Sequence, residues 1–221
     1  MKTVRVLIGT TNPSKLRLFQ GMMADLGLEA CSPAELGIAE DAPETGRDPL
    51  GNAVQKARFY ARWHEPVLCN DAGLYFDELP EDDPRQPGLH IRTPGGLPRL
   101  DDEGMIAYYA ELIHSLGGRV TAGYRDALAV SRGGQVFTWV EPEAFARSRT
   151  FTMVDTPSPR RHPGWPLDSL SLTRDGLGYF TDDRPANNPS VMEARLSAYR
   201  REQRRFFAEA LGVPLPDDAE K

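Results

Sequence analysis

The stretch VRVLIGTTNPSKLRLF, residues 4–19, contains the pattern that decides the fold. It begins with a largely apolar run of the kind that buried strands show. After a polar turn, Phe19 and Met23 continue an apolar repeat at helical spacing. Asn12 followed by Pro13 is a favoured way to begin a helix, because Asn caps the first N–H groups and Pro fits the first turn. The stretch predicts a strand–turn–helix unit with a polar turn at the carboxyl end of the strand.

Alternating strand and helix patterns continue through the first half of the chain. Residues 28–33 and 67–69 are short apolar segments that predict strands, and residues 101–117 repeat apolar side chains at helical spacing. A second helix is predicted between the two strands by the apolar positions Leu50, Ala53, Val54 and Ala57. This order of elements is typical of an α/β fold.

The second half of the chain has a different pattern. YRDALAVSRGGQVFTWV, residues 124–140, contains two strand-like runs around a Gly-Gly turn and predicts a β-hairpin. Residues 144–154 predict a further strand. A last helix is predicted from Pro189 onward, with its inward face formed by Met192, Leu196, Tyr199, Phe206 and Leu211.

We therefore predict a single α/β domain with two lobes, in which helices flank a central mixed β-sheet. Lobe one is expected to comprise about residues 1–118 with the C-terminal helix 189–211, and lobe two about residues 119–188. Because clefts between lobes are common ligand sites, a ligand is expected there.

Composition narrows the classes of function. The net charge of −6 argues against a broad nucleic-acid surface, and the arginine-rich segment 195–205 is interpreted as the solvated face of a helix. No apolar run approaches the ~20 residues of a membrane span, and the first residues do not resemble a signal peptide. Cys31 and Cys69 are predicted to be buried thiols, which indicates a cytoplasmic protein.

Polar residues are concentrated at the predicted strand ends and helix starts. Thr10, Asn12 and Lys15 lie at a helix N-terminus, where free N–H groups and the helix dipole favour phosphate. Asn52 and Lys56 are four residues apart and therefore share one face of the second helix. Each feature also has an ordinary explanation, as a helix cap or as a surface lysine.

A further polar pair interrupts LCNDAGLYFDEL, residues 68–79, where Asn70 and Asp71 follow the third strand. One interpretation is a plain turn, because Asn, Asp and Gly are the usual turn residues. The other is a site, because carboxylates such as Asp71 and the loop residue Glu44 bind Mg²⁺ while lysines steady phosphate oxygens. The four histidines show no metal-ligand spacing.

The order of these motifs resembles the inosine triphosphate pyrophosphatase family over roughly residues 4–211. The matching motifs are TTNPSK at 10–15, ETG at 44–46, GNAVQKA at 51–57, NDAGL at 70–74, PGLHIR at 87–92 and WPLD at 165–168. The resemblance implies Mg²⁺-dependent hydrolysis of non-standard purine nucleoside triphosphates, such as ITP, dITP and XTP, to the monophosphate and pyrophosphate. It also implies a homodimer, the commonest symmetry of soluble oligomers.

The resemblance also implies roles for individual residues. Asp71 would be the base for the attacking water, and Lys56 and Lys15 would stabilise the charge on the phosphates. Glu44, Asp71 and Asn70 would hold the metal. The substrate contacts would come from Thr10, Thr11, Asn12, Lys15, Asn52, Lys56, Ala72, Arg92, Trp165, Asp168 and Arg195.

Several positions depart from the family's pattern. Asn70 stands where the family has Asp, Ala72 where it has Ser, and Ala194 where it has His before the arginine matched by Arg195. Leu167 also replaces an aromatic residue. Two alternatives therefore stay open beside the leading prediction. One is the same phosphate chemistry on a modified or different nucleotide, and the other is a relative that binds nucleotide without turnover.

Overall fold

A computed structural model describes residues 4–173, 176–182 and 189–215, except for the side chains of residues 189–196. The strands are β1 Arg5–Ile8, β2 Glu29–Cys31, β3 Val67–Phe76, β4 Arg119–Arg132, β5 Gln135–Val140 and β6 Phe151–Val154. The helices are α1 Pro13–Ala24, α2 Pro49–Tyr60, α3 Asp102–Ser115, α4 Glu143–Ser148 and α5 Pro189–Leu211. Short 3-10 turns cover Ala34–Leu36, Pro94–Gly96 and Pro166–Ser169.

The strands form one mixed sheet in the order β2-β1-β3-β4-β5, and β6 also pairs with β4. β1 is parallel to both β2 and β3. β4 is antiparallel to β5 along its second part and to β6 along its first part. These pairings confirm the predicted α/β fold with a central mixed sheet flanked by helices.

The described residues separate into two compact units, and two strands contribute to both of them. Unit 1 contains residues 1–72, 126–141 and 196–221, and unit 2 contains residues 73–125 and 142–195. These boundaries differ from those of the predicted lobes because two of them fall inside β3 and β4, and a local sequence pattern does not show that one strand contributes to two units. The description as one domain with two lobes stays a prediction.

Each unit has its own apolar core. In unit 1, apolar side chains of α1, β1 and the C-terminal helix pack together, and Phe19 meets Phe207 edge to face. In unit 2, α3 packs its apolar face against strand residues, and the buried rings of Phe76 and Tyr109 are in contact. Among the described residues, no helix has the length and apolar character needed to cross a membrane.

The strand end predicted after residue 69 is wrong, and so is the interpretation of the following residues as a plain turn, because β3 continues without a break through Asn70 and Asp71 to Phe76. Gly73 lies inside this strand and does not form a turn. A Cβ atom at Gly73 would lie 2.7 Å from the Tyr75 ring and 3.2 Å from the carbonyl oxygen of Gly88. The glycine therefore permits a close approach of two backbones inside an extended segment.

Two predictions in the second half also need correction. Residues 143–148 form helix α4 rather than a strand, since Pro142 precedes the helix and Glu143 pairs with Arg147 one turn later. Only Phe151–Val154 of that segment is a strand. The hairpin and the start of α5 are confirmed.

The inward face predicted for α5 is right only in part. Tyr199 and Leu211 are buried, but the fully buried ring is Phe207, while Phe206 is partly buried. The side chains of Met192 and Leu196 lie outside the described residues.

Candidate active site

The central feature of unit 1 is a lysine held by two carboxylates. Lys56 Nζ lies 2.8 Å from Asp71 Oδ1, and Lys56 also forms an ion pair with Glu44. Lys56 and Asp71 are each only 9% exposed. Burial alone would lower the pKa of Lys56, but the two carboxylates outweigh burial and raise it. The lysine is therefore a charged and largely buried residue, paired with buried Asp71 and with Glu44, which is exposed.

Helix α2 brings a second polar residue to the same carboxylate. Asp48 caps the helix by accepting a hydrogen bond from the Gly51 N–H at 2.7 Å, and Pro49 follows in the first turn. The four-residue spacing then places Asn52 beside Lys56, where Asn52 Nδ2 donates to Asp71 Oδ2 at 2.9 Å. Both Asp71 oxygens are thereby held from a single helix.

Asn52 also fixes the loop that carries Glu44. The Gly46 N–H donates to Asn52 Oδ1 at 2.7 Å. Thr45 is tied to the next turn of α2, because its N–H donates to Gln55 Oε1 at 3.0 Å. Asn52 is buried and uses both ends of its amide within the protein. Asn52 therefore supports both Asp71 and the loop that carries Glu44.

We expect Gly46→Ala to disturb this arrangement. A Cβ atom there would lie 2.6 Å from the Asn52 backbone nitrogen and 2.7 Å from Asn52 Oδ1. The variant should lose about 1–3 kcal/mol of stability, as overpacking does, together with most of its activity. Gly21→Ala in α1 is the matched control, because nothing lies within 4 Å of its added Cβ and alanine favours helix. Thermal unfolding and a turnover assay should distinguish the two variants. Equal stability and activity in both would contradict the close packing of Gly46 against Asn52.

Lys15 lies in the electrostatic field of the same cluster. Burial lowers the pKa of Lys15 most, and positive Lys56 lowers it further. Asp71, Asp126 and Glu44 raise that pKa, but only in part. The lowered pKa therefore reflects mainly the removal of the Lys15 ammonium group from water, a cost that an anion bound beside it would offset.

The start of α1 differs from the expectation of free N–H groups. Asn12 Oδ1 accepts hydrogen bonds from the backbone N–H groups of Ser14 at 2.9 Å and Lys15 at 3.4 Å. The hydroxyl oxygen of Thr10 accepts from the Asn12 N–H at 3.1 Å. Asn12 thus caps the helix in this structure, Thr10 holds the Asn12 backbone, and neighbouring Thr11 is exposed.

Asn70 faces acceptors on its own strand and on β4, the next strand of the sheet. Its Nδ2 donates to the Ala127 carbonyl at 3.2 Å, to the Asp71 carbonyl at 3.2 Å and to Asp126 Oδ1 at 3.4 Å. The Tyr199 hydroxyl donates to Asp126 Oδ2 at 2.9 Å. Sequence reasoning missed Asp126, although a lone carboxylate inside the apolar strand pattern YRDALAV was a usable signal.

Two of the predicted substrate contacts in unit 2, Arg92 and Asp168, pair with residues that sequence reasoning also missed. Asp102 accepts from Arg92 Nη2 at 2.9 Å and from the Gly164 N–H at 3.2 Å. His162 Nδ1 lies 3.0 Å from Asp168 Oδ2.

The predicted substrate contacts in this part of the chain differ in pKa shift and in exposure to solvent. Burial raises the pKa of Asp168, and His162 offsets this only in part. Trp165 is 38% exposed. Ala72, at the end of unit 1, offers no polar side chain, and the side chain of Arg195 lies outside the described residues.

The oxygen donors of unit 1 suit a hard cation. Carboxylates and amide oxygens, as on Glu44, Asp71 and Asn70, are ligands that Mg²⁺ accepts. In the described parts of the chain, however, no three His, Cys, Asp or Glu side chains are grouped so as to hold a metal ion. The residues therefore fit a cation that takes one or two carboxylates and completes its shell with water and substrate phosphate.

This fold and cluster define a class of α/β protein with a lysine–carboxylate site suited to a phosphorylated ligand. The chain belongs to the Ham1 family, whose family model matches residues 6–145. That range contains every residue of the cluster around Lys56, whereas Trp165, Asp168 and Arg195 lie beyond it. Together with the relatives below, this match confirms the resemblance to the inosine triphosphate pyrophosphatase family.

The curated relatives described here are both dITP/XTP pyrophosphatases. The chain is 32% identical over 136 residues to the dITP/XTP pyrophosphatase of Bacillus subtilis, covering 61% of this chain and 67% of that protein. It is 36% identical over 109 residues to the dITP/XTP pyrophosphatase of Zymomonas mobilis, covering 49% and 50%. The matches thus span about half to two thirds of the length of these relatives.

Solved structures share the fold over nearly the whole chain. A HAM1 protein from Coxiella burnetii matches with a TM-score of 0.64 and 18% identity, covering 95% of this chain and 98% of that one. A nucleoside-triphosphatase / dITP/XTP pyrophosphatase from Mycobacterium abscessus matches with a TM-score of 0.62 and 20% identity, covering 91% and 97%. At these identities the likeness establishes the fold.

Proposed function

We propose that the protein is a Mg²⁺-dependent nucleoside triphosphate pyrophosphatase that converts non-standard purine nucleotides, such as ITP, dITP and XTP, to the monophosphate and pyrophosphate. The observation that carries this proposal is the cluster in which Lys56 contacts Glu44 and Asp71 while Asn52 holds the other Asp71 oxygen. The names of the relatives support the same chemistry.

In the proposed reaction, Asp71 accepts the proton of the attacking water. The water oxygen bonds to the α-phosphorus, and the bond from that phosphorus to the bridging oxygen breaks, with its electron pair leaving on pyrophosphate. Asn52 and Lys56 orient the carboxylate because each holds one of its oxygens. A general base at a fixed distance contributes typically about 10²–10⁴-fold to such a step.

Charge on the phosphates is balanced by the lysines and a metal. Lys15 and Lys56 would contact phosphate oxygens, where a preorganised ammonium group stabilises charge that develops on the leaving group. Glu44, Asp71 and the amide oxygen of Asn70 would hold Mg²⁺. When bound, Mg²⁺ would neutralise phosphate charge and lower the pKa of a coordinated water.

Base recognition is proposed for Arg92, Trp165, Asp168 and Arg195. Trp165 has an exposed ring on which a base can stack. Strong selection between bases requires polar groups aimed at their edges, and Asp168 and Arg92 are the described candidates. Thr10, Thr11, Asn12 and Ala72 would contribute backbone or hydroxyl contacts.

The direct test is pyrophosphate release with Mg²⁺ from ITP, dITP and XTP, compared with ATP, GTP and modified or pyrimidine triphosphates. We expect the deaminated purines to be preferred. Preference for a modified or pyrimidine nucleotide would favour the first alternative. Nucleotide binding without release from any member of the panel would favour the second alternative and contradict the proposal.

Glu44→Gln is expected to raise the Mg²⁺ concentration needed for half-maximal activity by about 10-fold, since one ligand charge is lost. Glu40→Gln is the matched control, because Glu40 lies in the same loop, and its contact with Arg62 at 3.9 Å is long and exposed. The two variants should differ in metal titration and agree in thermal unfolding. If Glu44→Gln gave the wild-type titration, Glu44 would have no part in metal binding.

We also propose a cytoplasmic homodimer that uses no nucleic-acid or membrane partner. The two cysteines are buried and unpaired, as suits a reducing compartment. The net charge of −6 disfavours a nucleic-acid partner. Light scattering coupled to gel filtration would measure the mass, and a monomer at micromolar concentration would contradict the dimer.

A further inference from the structure

The strongest feature outside the proposed roles is a chain of polar contacts from α5 to β3 through Asp126. Tyr199 is buried, and its hydroxyl donates to Asp126 Oδ2 at 2.9 Å. The other oxygen of this carboxylate accepts from Asn70 Nδ2 at 3.4 Å. All three residues belong to unit 1.

The backbone of Asp126 is fixed independently of its side chain. The Asp126 N–H donates to Glu141 Oε2 at 3.1 Å, and the Asp126 carbonyl accepts from the Glu141 N–H at 2.9 Å. The carboxylate therefore projects from an anchored position at the end of the β4–β5 pairing. The Tyr199 ring that contacts the carboxylate packs edge-on against Trp139, with ring centres 5.7 Å apart.

These contacts determine which way the Asn70 amide points. The carbonyls of Asp71 and Ala127 and the carboxylate of Asp126 are acceptors only, so the end of the amide that faces them must be the NH₂ group. The amide oxygen then lies at the opposite end. An oxygen can bind a cation, whereas an NH₂ group cannot.

We propose that Asp126 is a positioning residue of the site, which together with Tyr199 orients the Asn70 amide so that its oxygen is presented for cation binding. This inference rests on the proposed function only in its last step, the use of that oxygen. The same geometry explains why position 70 has an amide. A carboxylate there would place two negative groups about 3.4 Å apart, an arrangement in which both cannot readily be ionised.

The first test is a double-mutant cycle on thermal unfolding, without nucleotide or added metal. Asn70→Asp should lower the unfolding temperature by roughly 3–6 °C because of the repulsion. Asp126→Asn should lower it less. The combined Asn70→Asp/Asp126→Asn protein exchanges the two groups, restores one amide and one carboxylate, and should recover at least half of the loss. A double variant whose loss equals the sum of the single losses would overturn the proposal.

The second test asks whether Asp126 acts on the cation. Asp126→Asn should raise the half-saturating Mg²⁺ concentration for pyrophosphate release by about 3–10-fold, with little change in KM for nucleotide at saturating Mg²⁺. Glu29→Gln, which removes one exposed negative charge from the same unit, should leave it unchanged. An unchanged metal titration in Asp126→Asn would reduce Asp126 to a purely structural residue and overturn the positioning role.

Tyr199→Phe provides an independent check if Asp126→Asn folds poorly. It deletes the hydroxyl that holds Asp126 and keeps the ring beside Trp139. We expect a smaller shift of the metal titration in the same direction, about 2–3-fold, and a wild-type titration would contradict the chain of contacts. Because the unfolding cycle requires neither nucleotide nor turnover, its failure and a failure of the proposed function are distinguishable.

Discussion

Asp71→Asn should reduce hydrolysis by about 10²–10⁴-fold, the usual contribution of a general base, while triphosphate binding largely survives. Both oxygens of Asp71 are oriented from α2, by Lys56 and Asn52. An amide can accept the contact from Lys56, but its NH₂ group then meets the Asn52 NH₂ group and cannot accept a proton from water. Lys15 and Lys56 remain to bind phosphate.

The measurement combines single-turnover hydrolysis with equilibrium binding of the triphosphate. Asp25→Asn is the matched control, since it makes the same change at an exposed carboxylate paired with Arg204, where little energy is at stake. If Asp71→Asn kept wild-type turnover, Asp71 would not be the base. If binding and turnover were lost together with the fold, the role of Asp71 would be structural.

The two lysines of the site are expected to affect stability in opposite directions. Lys56→Met should lower the free energy of unfolding by about 3 kcal/mol, because it leaves two carboxylates without their shared cation. Lys15→Met should raise the unfolding temperature by about 2–4 °C, because burial and Lys56 disfavour the charged form of Lys15, as the lowered pKa indicates. Methionine keeps the apolar stem in both cases.

Both variants should nevertheless weaken triphosphate binding far more than nucleoside binding, since a lysine beside phosphate acts through its charge. The comparison requires thermal unfolding of the free proteins and titrations with a triphosphate and its nucleoside. Destabilisation of equal size in the two variants would contradict the electrostatic description of the cluster. A parallel loss of nucleoside and triphosphate affinity would mean that the lysines support the fold only.

The parts of the site that local patterns encode were predictable from sequence. The Asn12-Pro13 pair marks the start of α1, and Asn12 does cap the helix. The four-residue spacing of Asn52 and Lys56 places both side chains beside Asp71. These features depend on one turn of helix, so the sequence contains the whole of their geometry.

Features that depend on distant contacts were not predictable in the same way. Gly73 suggests a turn, but its reason is the Gly88 backbone, which approaches from a separate segment. Asp126 and Tyr199 reach Asn70 from β4 and α5, and no local spacing relates the three. Likewise, Asn12 accepts hydrogen bonds from the Ser14 and Lys15 N–H groups, which are the groups expected to bind phosphate. Composition does not show whether capping or phosphate binding prevails.

Tertiary placement also changed the interpretation of Asn70. Because the family has Asp at this position, the resemblance alone leaves two outcomes open for Asn70→Asp: it restores a paired carboxylate and speeds turnover, or it disturbs a site rebuilt around the amide. With Asp126 beside it, the same substitution adds a like charge to an occupied position. The structure therefore favours a site built around the amide, and the unfolding cycle proposed above decides between these two expectations.

The central claim is that the Lys56–Asp71 cluster serves hydrolysis of a nucleoside triphosphate to monophosphate and pyrophosphate. The most direct measurement is a ³¹P NMR time course of ITP with the protein and Mg²⁺, with Asp71→Asn run in parallel. The account predicts IMP and pyrophosphate in equal amounts from the wild-type protein, with no IDP and no early orthophosphate, and almost no product from the variant. Formation of IDP with orthophosphate, or the same product rate in Asp71→Asn, would contradict it.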